Sequence, residues 1–139
     1  MFMILKNRAF LLIPLLLLMF SPKNFSDEHP ELYFVNIQDG QHFNNPIKII
    51  FGLKNYGVAP AGIKVDFAGH HHLLIDKDLE DYAQPIPADN NHIHFGKGQT
   101  ETTIVLSPGS HTLQLIMGNY VHIPHNPVIQ SEKITVIVK

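Results

Sequence analysis

Residues 47–53 read Ile47-Lys48-Ile49-Ile50-Phe51-Gly52-Leu53. Ile47, Ile49, Phe51 and Leu53 are apolar at alternate positions, while Lys48 and Lys54 share the other parity. Successive side chains of a strand point to opposite faces, so this period of two predicts a strand with one buried face. The same style recurs outward along the chain. Residues 32–37 form an apolar, aromatic run closed by the turn Asp39-Gly40. Ile63, Val65 and Phe67 alternate with Lys64 and Asp66, which extends strand character toward residues 70–76. Residues 100–106 and 110–117 flank the turn Ser107-Pro108-Gly109 and are expected to form a β-hairpin. Ile134, Val136 and Val138 share one parity in the closing strand, residues 132–139. Glycine, proline and asparagine mark residues 57–62, 77–91 and 118–127 as loops, and only residues 79–82 have room for a helical turn. Short strands and frequent turns predict an all-β fold, an immunoglobulin-like antiparallel β-sandwich.

The N-terminus has a different character. Lys6 and Arg8 precede a twelve-residue apolar run, residues 9–20, and residues 21–26 are polar and turn-prone. This is the layout of a secretory signal peptide. The run is shorter than the roughly 20 apolar residues that a spanning helix needs, so no stable membrane span is expected after cleavage near Ser26. The expected organisation is a signal peptide over residues 1–26 and one histidine-rich domain over residues 27–139, placed in the periplasm or secreted. There is no cysteine, so the core stands without disulfides.

Past residue 26 the chain keeps seven lysines against twelve acidic residues, a formal charge of −5, and no arginine. That balance disfavours nucleic acid and phosphate ligands as partners. The outlier is histidine. All ten fall between His29 and His125, and most are grouped: His70-His71-His72, His92-Ile93-His94, lone His111, and His122-Ile123-Pro124-His125.

In a strand, residues i and i+2 share a face, so His70 pairs with His72 and His92 with His94. Zinc or copper takes imidazole nitrogen at about 2 Å and wants three or four ligands. No pair suffices alone, so a site requires two groups to meet. The candidate pool is His70, His72, His92, His94, His122 and His125. Parity carries His71 inward with Leu73 and Ile75, and aligns His111 with Leu113, Leu115 and Met117, so both are expected to be structural. A second arrangement depends on cleavage: a mature start at Asp27-Glu28-His29 would offer a square-planar nitrogen set for Cu(II) or Ni(II), against the simpler expectation of a frayed end.

No complete catalytic motif accompanies these residues. No serine lies in a nucleophile elbow, and no His-Glu-x-x-His, Walker or dinucleotide pattern occurs. Gly96-Lys97-Gly98 reads as a tight turn. Asp76, Asp78, Glu80 and Asp81 lack calcium-loop spacing.

Gly69-His-His-His-Leu-Leu-Ile-Asp76, His92-Ile-His-Phe-Gly-Lys-Gly-Gln-Thr-Glu101, Pro108-Gly-Ser-His-Thr-Leu-Gln-Leu115 and His122-Ile-Pro-His125 together resemble the bacterial envelope family known as domain of unknown function forty-three ninety-nine. The resemblance covers roughly residues 51–139 and implies an exported β-sandwich, with no activity to carry over. Phe67-Ala68 stands where that family has a polar pair, which favours a continuous strand into His70. The expected function is binding of a transition metal, copper or zinc, through clustered histidines. The alternative is a non-catalytic structural or interaction module whose partner is an envelope protein. Enzymatic activity is the least supported of the three.

Overall fold

The computed structural model describes residues 28–139. The expected signal segment and the first residue of Asp27-Glu28-His29 lie outside them. Nine strands follow in order: β1 (Glu31–Phe34), β2 (Gln41–Phe43), β3 (Ile47–Lys54), β4 (Gly57–Val58), β5 (Ala68–Ile75), β6 (His92–His94), β7 (Glu101–Ile104), β8 (Gly109–Gly118) and β9 (Ile134–Val138). They build two sheets, a three-stranded one ordered β1-β3-β7 and a larger one ordered β2-β9-β8-β5-β4, with β6 also paired to β5. Most pairings are antiparallel, while β2–β9 and β4–β5 are parallel. The expected all-β sandwich is therefore observed. Among the described residues no helix is long and apolar enough to cross a membrane.

The period of two explains how the sheets close on each other. Ile47, Ile49 and Phe51 of β3 face Leu73 and Ile75 of β5, Leu113, Leu115 and Met117 of β8, and Val136 and Val138 of β9 in one buried cluster. Each such aliphatic side chain contributes about 1.5–3 kcal/mol by leaving water. The outer face of the larger sheet is covered as well. Leu74 and Ile116 lie there under Leu79 and Ile86 from the long loop 77–91. Strand β5 is consequently buried along both faces, and Leu74 seeds a second, smaller core.

Three local expectations are corrected. Residues 100–106 and 110–117 do not form a hairpin: β7 pairs with β3 in one sheet, and β8 pairs with β5 and β9 in the other. The Ser107-Pro108-Gly109 turn instead carries the chain across the sandwich, so that Ile104 and Leu113 enter the same core from opposite sides. Asn45 fixes this crossing by donating to the Leu106 carbonyl at 2.7 Å and accepting from its amide at 3.1 Å. Residues 63–67 are not a strand, and Ile63, Val65 and Phe67 are exposed, Phe67 by 78%. Phe67 has a φ of +55°, a left-handed conformation that costs a bulky residue roughly 1–2 kcal/mol. It marks the break before β5. Conversely, residues 57–58, expected as loop, pair in parallel with the start of β5.

Candidate metal centre

Strand β5 sorts its three histidines by parity. His71 points into the sandwich against the Phe51 ring, with centroids 5.0 Å apart. His70 and His72 point to the outer face, and all three have 0% exposure. The antiparallel register then sets His94 of β6 beside His72. His122 arrives from the far side, on the loop that follows β8.

That loop is organised by Asn119. Its Oδ1 accepts from the Val121 amide at 2.9 Å and the Ile123 amide at 3.1 Å. Its carbonyl accepts from the His122 amide at 2.8 Å. His122 is thereby held at a φ of +71°, outside the common range for a residue with a Cβ. The His122 carbonyl accepts from Ile86 of the long loop at 2.9 Å, so two covering loops are clipped together over the histidines.

The result is a packed group of imidazoles. Ring centroids lie 4.9 Å apart for His70–His94, 5.0 Å for His70–His122 and 4.7 Å for His94–His122. One nitrogen from each of these three rings falls within 4.8 Å of the other two. His72 joins from the side, its Nε2 3.0 Å from Nε2 of His70. Nitrogens held tetrahedrally at about 2 Å from an ion are roughly 3.3 Å apart. The His70–His72 spacing already approaches this, and the triad reaches it by contracting about 1.5 Å at most.

Glycines make the room. A Cβ at Gly96 would sit 2.2 Å from Cε1 and 2.5 Å from Nε2 of His94, and one at Gly118 would sit 2.8 Å from Nε2 of His72. Both rings lie where any side chain on these backbones would be.

Burial also sets the charge state. Loss of water, reinforced by repulsion from His94, His122, His71 and His125, pushes His70 down to about 4. Burial, with His70, His94 and His122 adding repulsion, pushes His72 down to about 2. His94 is lowered by burial and then by His122. These rings are neutral at pH 7, the form that ligates metal. Nδ1 of His70, Nδ1 of His72 and Nε2 of His94 are buried without a protein partner. An imidazole needs a partner on each nitrogen, so the donor set fits an ion and is poorly satisfied by the protein alone.

Two residues of the expected pool stand apart from this group. His92 lies opposite Leu74, two residues further along β5, and its Nδ1 is 2.9 Å from Oδ1 of Asp89. His125 pairs its Nδ1 with the Tyr56 hydroxyl at 3.1 Å. Its Nε2 is buried without a partner, and burial lowers its pKa.

The two histidines expected to be structural separate clearly. His111 donates from Nδ1 to Asp76 at 2.7 Å and from Nε2 to the Ser107 carbonyl at 2.9 Å. Two acceptors favour the imidazolium, and the Asp76 bond raises its pKa first of all. The Ser107 hydroxyl lies 3.4 Å from the same Nε2, a spacing that mimics a catalytic triad. With its proton committed to the carbonyl, however, that nitrogen is not free to act as a base. His71 is structural as expected: its ring is buried with no partner at hydrogen-bond distance, and burial, opposed by the Gln99 backbone, pushes it down to about 4.

Sequence reading missed the supporting residues Gly96, Gly118 and Asn119, together with Asp89 and Tyr56, which engage His92 and His125. Glycine directly beside a histidine motif was the available signal, and Gly96 was assigned to a turn alone. Comparison with curated proteins and with solved structures finds no match. The family model described as Domain of unknown function (DUF4399) matches residues 49–139, a span holding β5, β6 and the His122 loop, and the chain belongs to that family.

Proposed function

We propose that this is an exported, periplasmic protein that binds a transition metal, copper or zinc, between β5, β6 and the loop after β8. The observation that carries the reading is the meeting of His70, His94 and His122, from three separate parts of the chain, within 4.8 Å. His72 is the adjacent fourth candidate. Buried nitrogens without partners cost about 1–3 kcal/mol each, a penalty that an ion bound at those same nitrogens would remove. His92 and His125 are assigned to supporting positions, held by Asp89 and Tyr56. No nucleophile with a free base accompanies the site, so binding, storage or delivery is favoured over catalysis.

The test is a metal titration of the purified protein beside its His94→Ala variant, with thermal unfolding as the control for folding. One equivalent of tightly bound ion is expected for the parent, and affinity at least 100-fold weaker for the variant. Equal binding by the two refutes the site. A second reading, an envelope interaction module, is favoured by the exposed Ile63, Val65 and Phe67. Under it, Phe67→Ser removes the physiological effect and His94→Ala does not.

A further inference from the structure

The imidazole group has no negative charge of its own. Its three convergent ligands are all histidine. The rings packed around His70 are themselves histidines, His72, His94 and His122. Among the described residues, the two carboxylates that meet histidines are engaged elsewhere: Asp89 with His92, and Asp76 with His111. His70 and His72 have 0% exposure, so water screens little of any charge placed between them.

An ion held between these packed rings keeps its full charge in surroundings less polar than water. The cost of leaving water rises with the square of the charge, so a divalent ion loses about four times as much as a monovalent one of equal size. A thiolate or carboxylate ligand offsets part of that loss, and among the described residues none converges with these three histidines. Sodium and potassium, which are hard ions like calcium and magnesium, take oxygen ligands, whereas imidazole suits zinc, copper, iron and nickel. Within that group copper has a stable monovalent state, for which the cost of leaving water is the smaller and three imidazoles suffice.

Resting on the metal-binding reading above, we infer that the site is selective for monovalent copper, Cu(I), over divalent ions. The neutral, enclosed ligand set formed by His70, His94 and His122 with His72 beside them is what discriminates. The physiological cargo belongs to the class of soft monovalent cations, and Ag(I) is its redox-inert analogue.

The experiment uses the whole protein under anaerobic conditions. Cu(I) is titrated against a chromophoric Cu(I) chelator, and Ag(I), Zn(II) and Cu(II) are titrated in parallel. Cu(I) and Ag(I) are expected to bind one equivalent, at least 100-fold tighter than Zn(II), and to lose that affinity in His94→Ala. Zn(II) or Cu(II) binding as tightly as Cu(I) overturns the selectivity while leaving a metal site. Failure of every ion to distinguish the parent from His94→Ala overturns the site itself. A second variant tests the cause. His122→Asp places one anionic ligand at a partly exposed loop position, and aspartate tolerates the left-handed backbone there. The ratio of Cu(I) to Zn(II) affinity is expected to fall at least tenfold in this variant. An unchanged ratio overturns the charge argument.

Discussion

Replacing Gly96 by alanine separates the metal site from the fold. The new methyl would stand 2.2 Å from Cε1 and 2.5 Å from Nε2 of His94, so the ring must retreat by more than about 1 Å to reach ordinary contact at roughly 3.5 Å. Metal–nitrogen bonds tolerate about 0.2 Å, and His94 therefore leaves the ligand set. Structural zinc sites bind with about 10–16 kcal/mol over four ligands, or roughly 2.5–4 kcal/mol for each ligand. At about 1.4 kcal/mol per decade, affinity falls roughly 60-fold or more. The fold should hardly change. Gly96 is not among the positive-φ residues, and glycine to alanine at a compatible position stabilises by about 0.4–1 kcal/mol, which offsets part of the ring's displacement. Competition titration with a chromophoric chelator and thermal unfolding of the metal-free protein measure the two effects. Affinity within a few-fold of the parent would refute both the cradle and the ligand role of His94. A collapse of thermal stability would show that Gly96 serves the fold instead.

Other consequences are smaller in scope. Asn119→Ala removes the acceptor of the Val121 and Ile123 amides, so His122 loses its fixed approach. Metal affinity should drop about 10–100-fold, as for loss of a supporting hydrogen bond, measured by the same competition. His71→Leu replaces a buried imidazole that has no partner at hydrogen-bond distance and only the Gln99 backbone near it, and should raise metal-free stability by about 1 kcal/mol in denaturant unfolding, with metal affinity unchanged. The pH dependence has a definite sign. His70 and His71 are held near 4 in the fold, while the unfolded chain takes these protons near 6.5. Stability of the metal-free protein is thus full above about pH 6.5 and drains as pH falls toward 4, by up to about 1.4 kcal/mol per pH unit for each ring. His111 acts oppositely: its pKa is raised by Asp76, so its contribution is present below 6.5 and lost as pH rises through the raised value. Urea titrations at pH 7.5 and 5 check the balance, and the lower value is expected at pH 5.

What the chain disclosed in advance follows from the range of the forces involved. Strand parity is a local property, so the division of His71 from His70 and His72 was readable from three consecutive residues. Register is not local. His92 and His94 look equivalent as an i, i+2 pair, yet pairing with β5 sets His94 beside His72 and His92 beside Leu74, where Asp89 claims it. The same turn signals serve a hairpin and a crossing between sheets, which is why Ser107-Pro108-Gly109 was misassigned. What settled the matter was the apolar demand of Ile104 on one sheet and Leu113 on the other. His122 was legible as a candidate, but its approach depends on Asn119 and on a positive φ that no pattern announces.

The triplet in β5 also guards the alignment of its own strand. Sliding β5 by one residue against β8 would turn two imidazoles toward the aliphatic interior and send Leu73 out among the remaining rings. Leu73 and Leu74 could trade faces with little loss, since both faces are apolar at that level, so the imidazoles are what the slip mismatches. A run of three identical residues, which taken alone blurs the pairing, here makes the off-by-one arrangement expensive.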